Sequence, residues 1–187
     1  MINKIKSKLK NREGSSVIEF AIGLLLFVLL TAFVVDMLFV GNKRFLVARE
    51  ATEISRMMAV QGGVKSITPV GYPGGNKTYT TSRELLKNID TAMTNAGVKE
   101  GWSVTLTKYN KQGQIIKQGY LTEKTNLEVD YMESMDVEIH ATYKWLLMSQ
   151  FDFVGLKEEA DVGAKRHSVS EFKYNFDDWE GEKINAQ

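Results

Sequence analysis

Polar and apolar positions are spread unevenly along this chain. After a lysine-rich start, residues 20–35 read FAIGLLLFVLLTAFVV without a charge, Asp36 interrupts, and MLFVG follows. The hydrocarbon core of a bilayer is crossed by about 20 apolar helical residues. Residues 20–40 therefore predict a membrane span, with Asp36 near one interface or within reach of Lys43 or Arg44. Leu, Phe, Val and Ile at this density make a helix apolar on every side, which suits lipid or an interior of similar helices.

The helical pattern then changes character without stopping. In NKRFLVAREATEISRMMAVQ, Phe45, Ala48, Ala51, Thr52, Ile54, Ser55 and Met58 recur at three- and four-residue steps among charged residues. This predicts one helix over 15–60, roughly 70 Å long at 1.5 Å per residue, with Gly62 and Gly63 ending it. Residues 61–80 hold both prolines and several glycines and predict a linker. The triplet Asn76, Lys77, Thr78 matches a glycosylation sequon, a pattern too common to carry a role.

Beyond the linker the periodicities describe a small mixed domain. T-S-R-E at 81–84 predicts a capping box opening a helix over 82–96, with Leu85, Ile89, Ala92, Met93 and Ala96 on its apolar face. WSVTLTKYN and QIIKQGYLT flank a Gly-containing turn and predict a hairpin. In VEIHATYKW, Val137, Ile139, Ala141, Tyr143 and Trp145 alternate with polar residues, the signature of one half-buried strand. EEADVGAKRHSVSEF predicts a last strand, and the acidic tail FDDWEGEKINAQ predicts fraying. The expected fold is α+β: a long N-terminal helix, then one helix packed on a mainly antiparallel sheet of three or four strands.

Composition narrows the function classes. Of 187 residues, 43% are hydrophobic and 25% charged, as in folded proteins, and a net charge of +1 gives no case for nucleic acid as a partner. The charge is polarised, however. Lys4, Lys6, Lys8, Lys10 and Arg12 against Glu13 give residues 1–14 a net +4, leaving −3 for the rest. With no cysteine, disulfides and thiol chemistry are excluded. His140 and His167 stand alone in the sequence, and no phosphate loop, H-x-x-x-H or G-x-S-x-G is present. Glu158, Glu159, Asp177 and Asp178 read as solvated charges. No catalytic residue, metal site or cofactor is expected.

A basic start before an apolar run fits three arrangements. A cleaved secretory signal lacks its small-x-small site, because 38–44 is bulky or charged. A plain signal anchor with its lysines in the cytoplasm explains the charge asymmetry. It leaves unexplained why Glu19 stands at the mouth of the apolar run. The stretch NREGSSVIEFAIGLLLFVLL, with Gly14 followed by Ser15 and then Glu19 and Phe20, resembles the processing site of type IV prepilins. In that family a basic leader ends in Gly and a membrane aspartyl peptidase cuts after it. A Glu at the fifth mature position is thought to pair with a new α-amino group, on a neighbouring subunit. Carried onto this chain, the cut falls between Gly14 and Ser15, and Glu19 with Phe20 sets assembly register. Ser15 departs from the Phe that begins many mature pilins.

The layout of helix, loop, late strand and final basic strand resembles the TadE-like minor pilins of Tad/Flp pilus, secretion and conjugation systems. The likeness is strongest over 12–60 and one of pattern over 100–172. It implies a leader at 1–14, a membrane and spine helix at 15–60, and an extracytoplasmic domain at 61–187. It further implies a non-enzymatic subunit whose partners are the membrane, a prepilin peptidase, other pilin-like subunits and a membrane assembly platform. An unprocessed, single-span anchored binding domain is the alternative.

Overall fold

A computed structural model describes residues 2–73, 77–98, 101–150 and 159–173, with side chains from Ser16 onward except Met148. The expectations for Asn76, Glu158 and the tail at 176–187 lie outside the described residues. The chain divides into two compact units, Met1–Phe39 with Lys144–Glu158, and Val40–Tyr143 with Glu159–Gln187.

Helix α1 runs over Ile2–Gln61 and contributes to both units. It starts earlier than the expected 15–60, passing through Gly14 without a break. In the first unit its apolar side chains face outward: the large residues from Val17 to Val28 are exposed, up to 72% at Phe20. Ala32 and Asp36, one turn apart, are buried instead, at 6% and 1%. A short 3-10 turn, Met148–Gln150, belongs to the same unit.

The second unit is an α+β domain. Strands β2 (Ser103–Tyr109), β3 (Ile115–Tyr120), β5 (Ser134–His140) and β8 (Ala164–Val169) form an antiparallel sheet in the order β3-β2-β5-β8. Two small pairs accompany it: β1 (Gly63–Val64) with β4 (Leu127–Glu128), and β6 (Thr142–Lys144) with β7 (Glu159–Asp161). Helix α2 covers Ser82–Asn95, and its capping box forms as expected. Thr81 Oγ1 accepts from the Glu84 backbone N–H while the Glu84 carboxylate accepts from the Thr81 N–H at 2.9 Å. Those bonds to Thr81 hold the Glu84 carboxyl below its ordinary value.

One core joins these elements. Val47, Ala51, Ile54 and Met58 of α1 pack with Leu85, Ile89 and Met93 of α2 and with Val104, Leu106, Met135, Val137 and Ile139 of the sheet. The apolar stripe of α1 is rotated from the one expected. Val47 replaces Phe45, which is 67% exposed, and Thr52 also points outward. Positions 47, 51, 54 and 58 follow the helical repeat, whereas 45 lies two residues before 47, nearly opposite on the helix.

Two other expectations change. The single strand read over 137–145 is two strands: β5 ends at His140, and after Ala141 β6 pairs with β7 instead of with the main sheet. The last strand is likewise β7 and β8, parted at Val162 and Gly163. At Gly163 a Cβ would lie 2.8 Å from the Ile139 carbonyl oxygen, so only glycine fits against the end of β5.

Candidate functional site

The residues singled out at the N-terminus all lie on α1. Lys4, Lys6, Lys8, Lys10, Arg12, Gly14 and Ser15 are helical in backbone, with side chains outside the described set. At 100° per residue, positions 4, 8 and 12 share one side of the helix and 6 and 10 the other. The Gly14–Ser15 peptide is therefore inside a helix, where any backbone cleavage would require local unwinding. The sequence makes that unwinding cheap. Asn11, Gly14, Ser15 and Ser16 are poor helix formers, together about 2–3 kcal/mol less favourable than four alanines.

Glu19 and Phe20 are both exposed. Glu19 lies one helical turn beyond Ser15, about 6 Å along the axis. Around it Val17, Ile18, Phe20 and Ile22 present apolar surface. Over Ser16–Gln61, α1 is long and apolar enough to cross a membrane.

Asp36, the second acid within the apolar run, is satisfied by a distant part of the chain. The Leu147 backbone N–H donates to both carboxylate oxygens, at 3.1 and 3.0 Å. Lys43, considered as its partner, instead places its ammonium 5.6 Å from the Tyr143 ring centre. A backbone donor 111 residues away leaves no trace in local sequence. The interruption at Asp36 was the one visible signal.

The solvent side of the sheet carries a polar cluster that sequence reading missed. His167 does not stand alone: its Nδ1 lies 2.7 Å from Asp136 Oδ1. Tyr109 donates its hydroxyl to Oδ2 at 2.6 Å, and Lys165 Nζ is 2.8 Å from the same oxygen. Antiparallel register explains the meeting, since Asp136 of β5 lies opposite Thr107 of β2 and His167 of β8. Burial pushes the Asp136 carboxyl up, but its bonds to Lys165, Tyr109 and His167 outweigh that and hold it below the ordinary value. The same contacts raise Tyr109 and Lys165. One carboxylate thus braces three strands. His140 is exposed beside Glu138, 3.8 Å away, as the polar face of a strand implies.

Among the described residues, no group of three or more His, Cys, Asp and Glu is placed to hold a metal ion. Compared with protein-family models, with curated proteins and with solved structures, the chain gives no match.

Proposed function

We propose that this chain is a pilin-like structural subunit of the TadE-like minor pilin kind, serving a Tad/Flp-type pilus or secretion apparatus. One observation carries the reading: Glu19 stands five residues past Gly14, exposed at the start of the charge-free apolar stretch of α1 over residues 20–35. A plain anchor gains nothing from that acid. Insertion of a charge at the bilayer centre costs about 2.5–3.5 kcal/mol, less toward the interface, and the remaining cost favours a partner. Cutting after Gly14 adds a new cation, the α-amino group of Ser15. On the helix of one chain the two groups are a turn apart. Between staggered copies the same pair fixes register.

Cleavage also changes the membrane energetics. The leader's +4 charge holds the N-terminus in the cytoplasm by the positive-inside rule, which places residues 61–187 outside. Its removal takes away the lysines that resist extraction of the helix toward an assembly platform. The α+β domain, larger than the short rods of major Tad pilins, suits a minor subunit that initiates or caps a filament. The reading is non-enzymatic. Its partners are the prepilin peptidase, other pilin-like subunits and the platform.

The test is co-expression of the full chain with a prepilin peptidase, followed by intact-mass analysis. The mature chain is expected to begin at Ser15, and Gly14→Val is expected to keep the leader. Retention of the leader by the unsubstituted chain would leave the anchored binding domain as the better reading.

A further inference from the structure

The short segment after β6 belongs with the apolar half of α1 rather than with the sheet. Residues 144–150 fall in the same compact unit as Met1–Phe39. Their attachment point is Asp36, whose carboxylate takes the Leu147 N–H through both oxygens. The segment also closes on itself, the Gln150 N–H donating to the Leu147 carbonyl at 3.0 Å. Its apolar side chains stay uncovered: Leu146 is 51% and Leu147 37% exposed, and Trp145 is half-buried. On α1 at the same level, Phe33 is 39% and Met37 44% exposed. A folded turn in water would not leave leucines outward beside outward phenylalanine and methionine without something to cover them.

We infer that residues 144–150 form a membrane-contacting lip that seats Trp145, Leu146 and Leu147 in the acyl–headgroup boundary of the bilayer crossed by α1. The inference rests on the membrane-spanning reading of α1 and adds a second element to it. The depth follows from the Asp36 attachment. Asp36 lies five residues before Gly41, after which Asn42, Lys43 and Arg44 begin the polar stretch. At 1.5 Å per residue, the Asp36 attachment lies about 9 Å along the helix axis from Asn42, the first of those polar residues. That is the boundary layer where tryptophan is favoured.

The chemistry of Asp36 agrees with that depth. A carboxylate in contact with lipid is expensive, and such groups are kept by pairing with one another or with the backbone. Here the lip covers Asp36 to 1% exposure and supplies the backbone donor. Irregular backbone at the edge of lipid must in turn satisfy its own polar groups. The Leu147 N–H and the Leu147 carbonyl both do so. The occupant is lipid because the exposed leucines continue the belt of apolar side chains on α1, whose large residues stay outward from Val17 to Val28.

The chain has no cysteine, so single-cysteine variants of the full chain take a fluorophore at one chosen place. Leu146→Cys, Leu25→Cys and Lys111→Cys would be labelled with an environment-sensitive dye. Each would be reconstituted at high lipid excess in phosphatidylcholine–phosphatidylglycerol vesicles with nitroxide-bearing lipids, shallow or deep. The Leu146→Cys probe is expected to be blue-shifted and quenched more by shallow than by deep nitroxides. Leu25→Cys should be quenched more by deep ones, and Lys111→Cys by neither. A lipid-quenched Leu25→Cys probe with a water-like Leu146→Cys probe overturns the lip and leaves the span standing. A Leu146→Cys probe shielded only at high protein density overturns it in favour of a second copy. An unquenched Leu25→Cys probe overturns both.

Discussion

Gly63→Ala tests how the end of α1 is joined to β4. Gly63 lies just beyond the end of α1 at φ +109°, a conformation that L side chains rarely adopt. An alanine Cβ there would overlap the Leu127 carbonyl oxygen and lie 3.2 Å from the Val129 nitrogen, both of them backbone atoms. Backbone cannot swing aside as a side chain can. Relief requires β4 to move away, which breaks the Gly63–Glu128 and Val64–Leu127 pairing and the bond from the Val129 N–H to the Gly62 carbonyl. Two or three hydrogen bonds at about 1 kcal/mol each, plus about 1–2 kcal/mol of backbone strain, give about 3–5 kcal/mol. Against a typical domain stability of about 5–15 kcal/mol this is a large fraction. For a domain of this size it lowers Tm by roughly 10–20 °C. The assay is thermal melting of the full chain in detergent, followed by near-ultraviolet circular dichroism. Gly119→Ala in β3, where a Cβ meets nothing within 4 Å, is the control and is expected to leave Tm nearly unchanged. A Gly63→Ala melt matching the control would refute the reasoning.

Asp136→Asn is expected to cost about 1–2 kcal/mol near neutral pH, since charge-assisted bonds to Lys165 and His167 are lost. Asp136 has its folded carboxyl held below 3.8, so its contribution is full above that value and fades as pH falls through the lower one. Melts from pH 7 to pH 2.5 should therefore show the gap between wild type and variant closing below about pH 4. A constant gap would contradict the brace. Thr81→Ala removes the cap of α2 and should cost about 1 kcal/mol in chemical denaturation, with an unchanged slope.

What was legible in the sequence was local. The α2 cap was readable because T-S-R-E satisfies its own backbone within four residues. The β2–β3 hairpin was readable because Asn110 accepts from the Gln112 and Gln114 N–H groups and Gly113 takes φ +78°. Alternation across 137–145 was read correctly as a pattern and wrongly as one strand, because a period of two does not register a change of partner at Ala141. The β1–β4 bridge is two residues long and carries no periodic signal. The helical repeat of α1 was clear, and Ala51, Ile54, Ser55 and Met58 are buried as read, but Phe45 is apolar without facing the core. At the candidate site, Glu19 and Gly14 stand out through the resemblance of NREGSSVIEFAIGLLLFVLL to a prepilin processing site. Asp136 and His167, 31 residues apart, are brought together by the β5–β8 register, and Asp36 and Leu147, 111 residues apart, by a backbone bond between α1 and the turn after β6.

The claim on which the functional account turns is that the Glu19 carboxylate docks a neighbouring subunit. It is tested most directly by following the processed chain of wild type and Glu19→Leu, co-expressed with the peptidase and assembly components of a Tad-type system. The readout is the share of each that co-purifies with other pilin-like subunits. Glu19→Leu is expected to be cleaved after Gly14 as wild type is, yet to be recovered in assemblies roughly tenfold less or lower, the loss of one charge-assisted contact. Processed Glu19→Leu recovered at the wild-type level would contradict the account.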